Sequence, residues 1–154
     1  MKKLMTLCLV HQPPKILLGM KKKGFGMGRW NGFGGKVEDG ERIEDATKRE
    51  IWEEAEIKVE EIEKVGEMLF EYVEGAEKDI VEVHLYRAEK FSGTPQETEE
   101  MKPQWFLESE LPLDQMWPDD KFWMPLFLAG KKFKGKFLFD GHDKIIKYKL
   151  EEIK

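Results

Sequence analysis

The stretch Arg49-Glu50-Ile51-Trp52-Glu53-Glu54 decides how this chain is read. It lies in a segment, Ile43 to about Glu56, whose apolar spacing predicts a helix. At 3.6 residues per turn, Glu50, Glu53 and Glu54 fall within about one third of the circumference. Like charges three and four positions apart repel and slightly weaken a helix. A solvated face would tolerate them, but Ile43 and Ala46 share their sector while Glu44, Asp45 and Lys48 point elsewhere. The carboxylates are therefore expected on or beside the face that looks inward. A carboxylate withdrawn from water must be protonated, paired or metal-bound. Three together offer oxygen ligands to a hard divalent cation. Arg49, next to the sector, is placed to orient one of them from behind.

Upstream of this helix stand Gly24, Gly26, Gly28, Gly32, Gly34 and Gly35. Such density predicts turns and close backbone approach, not a regular element. Working outward, Lys3–Val10 and Lys15–Met20 read as two strands joined at Pro13-Pro14. Val65–Tyr72 and Asp79–Lys90 read as longer strands with Gly75 in the turn between them, and Gln104–Leu107 as a short one. Asp120–Ala129 reads as a second helix with Phe122, Trp123, Leu126 and Phe127 towards the core. Lys136–Phe139 and Ile145–Leu150 complete the strands. Many strands with two separated helices predict an α+β sandwich.

The bulk numbers bound the function. With 154 residues, 40% hydrophobic and 37% charged, the chain suits one domain over residues 1–154 with a real core. A net charge of −5 argues against a general nucleic-acid binder. The basic run Lys131-Lys-Phe-Lys-Gly-Lys136 is read as a solvated turn before a strand, with an RNA or an acidic partner as the alternative. The single cysteine, Cys8, sits in an apolar run and is expected as a buried inert thiol in a reducing compartment. The apolar start is too short for a signal peptide and runs into His11-Gln-Pro-Pro14 without a small-residue cleavage site. No apolar stretch is long enough for a membrane span. A cytoplasmic location is expected, with Lys2 and Lys3 leaving a mitochondrial or nuclear fraction open. Nothing demands more than a monomer.

Gly35-Lys-Val-Glu-Asp-Gly-Glu41 followed by Arg49-Glu50-Ile51-Trp52-Glu53-Glu54 resembles the Nudix box, which here spans residues 35–57 and ends on the aliphatic Ile57. One position departs, since Glu56 stands where that family has glycine. A glycine there would form a left-handed helix cap. A glutamate in that conformation costs roughly 1–2 kcal/mol, so strain or a shifted helix end is expected. The resemblance implies a Nudix fold, an α/β/α sandwich around a mixed β-sheet. It implies Mg²⁺, with Mn²⁺ as a substitute, held by Glu50, Glu53, Glu54, the Gly34 carbonyl and Glu100 from a later loop. Either Glu54 or Glu53 would double as base, with Arg49 and Glu100 completing the catalytic set. Lys21, Lys36 and Gly35 would meet the phosphates.

The likeness extends to Gly24-Phe-Gly-Met-Gly-Arg-Trp-Asn-Gly-Phe-Gly-Gly-Lys36 and Met116-Trp-Pro-Asp-Asp120, which resemble the animal mutT-homologue subfamily. That implies hydrolysis of oxidised purine nucleoside triphosphates to the monophosphate and pyrophosphate, with a small-molecule nucleotide as the partner. Trp117 offers a flat face for a purine. Asp119 and Asp120, forced near one base, would share protonation states and present a donor beside an acceptor. Asn31 carries both donor and acceptor. By resemblance Thr6, Phe25, Phe33, Phe70, Val81, Met101, Pro118, Trp123 and Phe139 form the walls. For each wall residue core packing is the plainer reading, and Asp119 would otherwise be taken as a helix N-cap. The alternatives are a Nudix hydrolase of another diphosphate-linked nucleotide, or a silent nucleotide-binding module, for which only Glu56 speaks.

Overall fold

The computed structural model describes residues 2–154; Met1, at the head of the basic start, lies outside them. The elements run β1 (Lys2–Gln12), β2 (Lys15–Lys21), β3 (Trp30–Asn31), β4 (Phe33–Lys36), α1 (Ile43–Ala55), β5 (Glu63–Glu74), β6 (Glu77–Ala88), β7 (Met101–Leu107), α2 (Asp120–Leu128), β8 (Lys132–Asp140) and β9 (Lys144–Ile153). Two single 3₁₀ turns, Glu108–Glu110 and Leu113–Gln115, lead into α2.

All nine strands join one sheet, ordered β3-β2-β1-β6-β5-β8-β9, with β4 paired to β1 and β7 to β2. It is mixed: β1–β6 and β5–β8 are parallel and the other pairs antiparallel. Period-two alternation decides what covers each face. On β1, Leu9 packs with Trp123 and Phe127 of α2, while Cys8 and Val10 pack with Ile51 and Ala55 of α1. Ile16 and Leu18 on β2 join the first cluster and Leu17 the second. The helices thus lie on opposite faces, as an α/β/α sandwich requires. Cys8 is fully buried, and that burial pushes its thiol up to about 12, which keeps it protonated and inert.

Two expectations fail locally. The glycine stretch does contain regular structure, β3 and β4, because its neighbours on β2 and β1 supply the ladder that no local pattern predicts. The basic run at 131–136 is not a turn: most of it lies inside β8, where Lys134 pairs with Glu67 at 3.6 Å and Lys136 with Glu71 at 3.5 Å. Among the described residues, no helix is long and apolar enough to cross a membrane.

Pairing also opens the space for a site. β1 meets β2 only over Val10–Gln12, whereas its earlier residues Met5–Cys8 pair with β4. The two strands diverge, and β4 wedges between them under α1.

Candidate active site

The acidic helix is anchored on β4. Backbone is brought so close to β1 that a Cβ on Gly34 would stand 1.8 Å from the Thr6 carbonyl oxygen, so no other residue fits. The Gly34 N–H then donates to Glu54 Oε1 at 2.8 Å. A Cβ on Gly35 would lie 2.7 Å from the Glu50 carboxyl, so this glycine leaves the room that Glu50 occupies. Glu54 is buried, with Lys21 Nζ 3.7 Å from its Oε2. Burial, with Glu50 and Glu100 adding to it, pushes Glu54 up to about 8 against the pull of Lys21 and the Gly34 N–H. Burial also raises Glu50, opposed by Arg49. The buried side of α1 is formed by Ala46, Thr47, Ile51, Glu54 and Ala55, so the helix is turned slightly from the predicted sector. Glu53 therefore stands at the rim, its side chain about half exposed.

Arg49 organises this cluster. Its Nε and Nη2 grip both oxygens of Glu41 at 2.8 and 3.0 Å, and Nη2 also donates to the Lys36 carbonyl at 3.1 Å. Its Nη1 donates to Glu50 at 2.9 Å and, more loosely, to Glu53 at 3.3 Å. Arg49 does not line the cavity and reaches it only through the glutamates it holds, which makes it a positioning residue. Glu41 is the partner that the sequence reading counted only as spacing.

Glu100 arrives on the loop before β7. Thr98 pins that loop: its hydroxyl donates to the Glu54 carbonyl at 2.9 Å and accepts from the N–H groups of Glu100 and Met101 at 3.3 and 3.2 Å. Lys22 adds a bond to the Thr98 carbonyl at 2.8 Å. Glu56, the departure from the box, adopts the left-handed conformation (φ 55°, ψ 35°) and its N–H caps α1 on Trp52 at 2.9 Å. The helix end is not shifted. The strained alternative is the one realised, and Glu54 keeps its place.

A cavity of about 340 Å³ joins these carboxylates to a buried aromatic end. Thr6, Lys21, Phe25, Asn31, Gly34, Gly35, Glu50, Glu53, Glu54, Phe70, Val81, Glu100, Met101, Trp117, Asp119, Asp120 and Trp123 all line it. Asp119 does not use its side chain as an N-cap; its Oδ2 accepts from the Trp123 indole N–H at 2.7 Å. Asp120 Oδ2 is buried with no hydrogen-bond partner. An orphaned buried acceptor facing a cavity points to a ligand that would satisfy it. Burial raises both carboxyls, and the neighbouring Asp119 drives Asp120 well above its ordinary range, so the pair favours holding a shared proton. Asn31 Oδ1 accepts from the Gly32 N–H at 2.9 Å, which leaves its amide N–H groups for the cavity.

Four expected residues lie elsewhere. Phe33 is fully buried on the α1 face among Ile51, Leu17 and Met101, because alternation along β4 turns it away from the cavity. Phe139 is buried behind Tyr72 and Trp117 and supports the wall without lining it. Lys36 is exposed and serves through its carbonyl, and Pro118 is likewise absent from the lining. Met5, Leu7, Gly26, Gly32, Met68, Tyr72 and Val83 line the cavity unpredicted. Apolar strand residues of this kind carry no mark in the sequence that separates wall from core.

The donor set fits a divalent cation. Glu50, Glu53, Glu54 and Glu100 all line the cavity, and Glu50 and Glu54 are raised by burial and mutual repulsion, a cost that bound positive charge relieves. Their oxygens are not drawn tightly together, since Arg49 holds Glu50 and Glu53. Among the described residues, the group with three ligand atoms within 4.8 Å of one another is Glu67, Glu82 and His84, away from the cavity. There Lys2, Lys64 and Lys134 already pair with the carboxylates.

Comparison with known proteins agrees with this geometry. Residues 1–127 match the NUDIX domain, and the chain belongs to the Nudix family. Its members generally require a divalent metal. The chain is 52% identical over 151 residues to a protein of Mus musculus named oxidized purine nucleoside triphosphate hydrolase, covering 98% of this chain and 96% of that one. A protein of the same name from Danio rerio is 50% identical with the same coverage. Among solved structures, a MutT protein from Bacillus halodurans superposes with a TM-score of 0.86 at 26% identity, over 97% of each chain. A MutT NUDIX hydrolase from Burkholderia pseudomallei gives 0.64 at 28% identity, over 73% of this chain and 88% of that one.

Proposed function

We propose that this chain hydrolyses oxidised purine nucleoside triphosphates, such as 8-oxo-dGTP and 2-oxo-dATP, to the monophosphate and pyrophosphate. O6- and N6-methylated purine nucleotides fall within the same reading. The observation that carries it is the single cavity with carboxylates at one end and a protonatable aspartate pair beside Trp117 at the other. The names of the two vertebrate relatives support the substrate class.

In this reading Glu50, Glu53, Glu54 and Glu100, with the Gly34 carbonyl, hold Mg²⁺, which Mn²⁺ can replace. Held there, such an ion would supply positive charge to offset the negative charge of the phosphate oxygens. Lys21, beside Glu54, meets the phosphate chain. One of the glutamates takes a proton from the attacking water; a new P–O bond forms from that water and the bond between the α and β phosphates breaks. Arg49 keeps Glu50 and Glu53 aimed. At the other end a purine stacks on Trp117, a contact worth roughly 1–3 kcal/mol. Protonated Asp120 donates to the base edge, Asp119 accepts, and the Asn31 amide adds a donor. The enzyme is taken to act as a cytoplasmic monomer.

The test is a panel of oxidised, methylated and unmodified purine triphosphates, dinucleoside polyphosphates and nucleotide sugars, scored by Mg²⁺-dependent pyrophosphate or phosphate release. A preference of at least about 10-fold in kcat/KM for an oxidised purine is expected, roughly the 1.4 kcal/mol that one extra hydrogen bond supplies. Preference for a dinucleoside polyphosphate or a nucleotide sugar would overturn the substrate assignment. Tight binding without turnover would make the chain a silent module.

A further inference from the structure

Arg29 does not line the cavity, yet it touches the wall on which a base would stack. Its guanidinium carbon lies 4.2 Å from the centroid of the Trp117 ring. The same guanidinium reaches the turn between β8 and β9: Nη1 donates to the His142 carbonyl at 3.1 Å and Nη2 pairs with Asp143. Its own backbone N–H donates to the Gly26 carbonyl at 3.1 Å, and its carbonyl accepts from the Lys21 N–H at 3.1 Å. One side chain thus ties the glycine loop before β3 to a turn more than a hundred residues away, with Trp117 between. Phe25 of that loop, half exposed, lies 4.9 Å from Trp117 and 5.1 Å from His142. Tyr72 stands 6.0 Å from Trp117 on a further side.

A planar guanidinium over an indole is attracted by the ring quadrupole, most strongly where water is excluded. The Arg29 side chain is only 21% exposed. Its fork can bond the turn while its plane lies on the ring, which a lysine ammonium cannot reproduce. It also brings a positive charge to the buried aspartates, which feel its field. The other groups acting on that pair are the two carboxyls on each other, Tyr72 from β5 and the Trp123 indole N–H from α2.

We propose that Arg29 is the positioning residue of the base pocket: it pins Trp117 in the stacking orientation and latches the Gly24–Gly28 loop to the β8–β9 turn. Its effect falls on base binding and not on the cleavage step. The inference rests on the base pocket described under the proposed function.

The experiment compares the whole protein with R29M, R29K and, as a control on the pocket, D119N, all with saturating Mg²⁺ and 8-oxo-dGTP. For R29M, KM is expected to rise about 10-fold with kcat within about twofold, the size of a desolvated cation–π contact. R29K should recover part of this and no more. With the positive charge gone, the pH at which KM begins to climb should move upward in R29M and stay in place in R29K. Unchanged KM in R29M alongside raised KM in D119N would overturn the role of Arg29 alone. Unchanged KM in D119N would overturn the base pocket, and this inference with it. A KM that rises only at temperatures where the melting curve shows unfolding, or a loss confined to kcat, would also reject it.

Discussion

The backbone at Glu56 allows a sharp test of how this box tolerates its departure. It is the one non-glycine residue with positive φ among the described residues. Holding a Cβ in the left-handed region costs about 1–2 kcal/mol. The carboxylate also sits at the negative end of α1, which adds about 0.3–1 kcal/mol. Against this, glycine gives back about 0.5–1 kcal/mol through the freedom it gains in the unfolded chain. Glu56→Gly should therefore stabilise the fold by about 1 kcal/mol, raising Tm by roughly 2–4 °C for a chain of this size. Urea melts should show a higher midpoint with an unchanged slope. Glu56→Ala removes the charge but keeps the Cβ, so it should gain only the electrostatic part. Turnover should hold in both, because Glu54 is fixed by Gly34 and Thr98 and not by the cap. If Glu56→Gly is no more stable than Glu56→Ala, the strain argument is wrong.

Three further outcomes follow from the carboxylate end. Arg49→Lys replaces a fork that serves Glu41, Glu50 and the Lys36 carbonyl at once with a point charge, so kcat should fall about 10–100-fold; a rate within twofold of the parent would refute the positioning role. Gly35→Ala puts a methyl 2.7 Å from the Glu50 carboxyl, and calorimetric titration should show Mg²⁺ binding at least about 10-fold weaker, the scale of a displaced metal ligand or its support. Equal affinity would mean that the helix simply yields. For Glu54, the folded pKa of about 8 lies above its ordinary 4.5, so the metal-free fold holds the extra proton. Its stability should fall as pH rises from about 5 to 8, and Mg²⁺ should restore it most at the alkaline end. Glu54→Gln should flatten that slope and abolish turnover while nucleotide still binds; near-normal turnover would show its role misassigned.

Much of this arrangement was legible in the chain. Spacing alone put Glu50, Glu53 and Glu54 together and started α1 at Ile43, because an amphipathic helix repeats its face within the sequence. What was not legible depended on partners far along the chain. β4 exists because Met5–Cys8 accept it, and no glycine-rich stretch announces such a neighbour. Phe33, a wall residue only by resemblance, packs on the α1 face, and a strand of four residues that no local pattern predicts gives too short an alternation to show it. Met68, Tyr72 and Val83 look like any core residue until the cavity beside them is seen. Asp119 reads locally as a cap, and only the Trp123 indole four residues on shows where its carboxylate goes.

The two ends of the cavity are borne by different stretches: the cutting end by β4, α1 and the Thr98–Glu100 loop, and the reading end mainly by β5, β6 and the approach to α2. β1 adds Met5, Thr6 and Leu7 to the same cavity. Such a chain can change its diet without relearning its trade. A substitution at Tyr72 or Trp117 would swap the lock, while the blade beneath stays sharp; one at Gly34 would blunt it for every nucleotide alike.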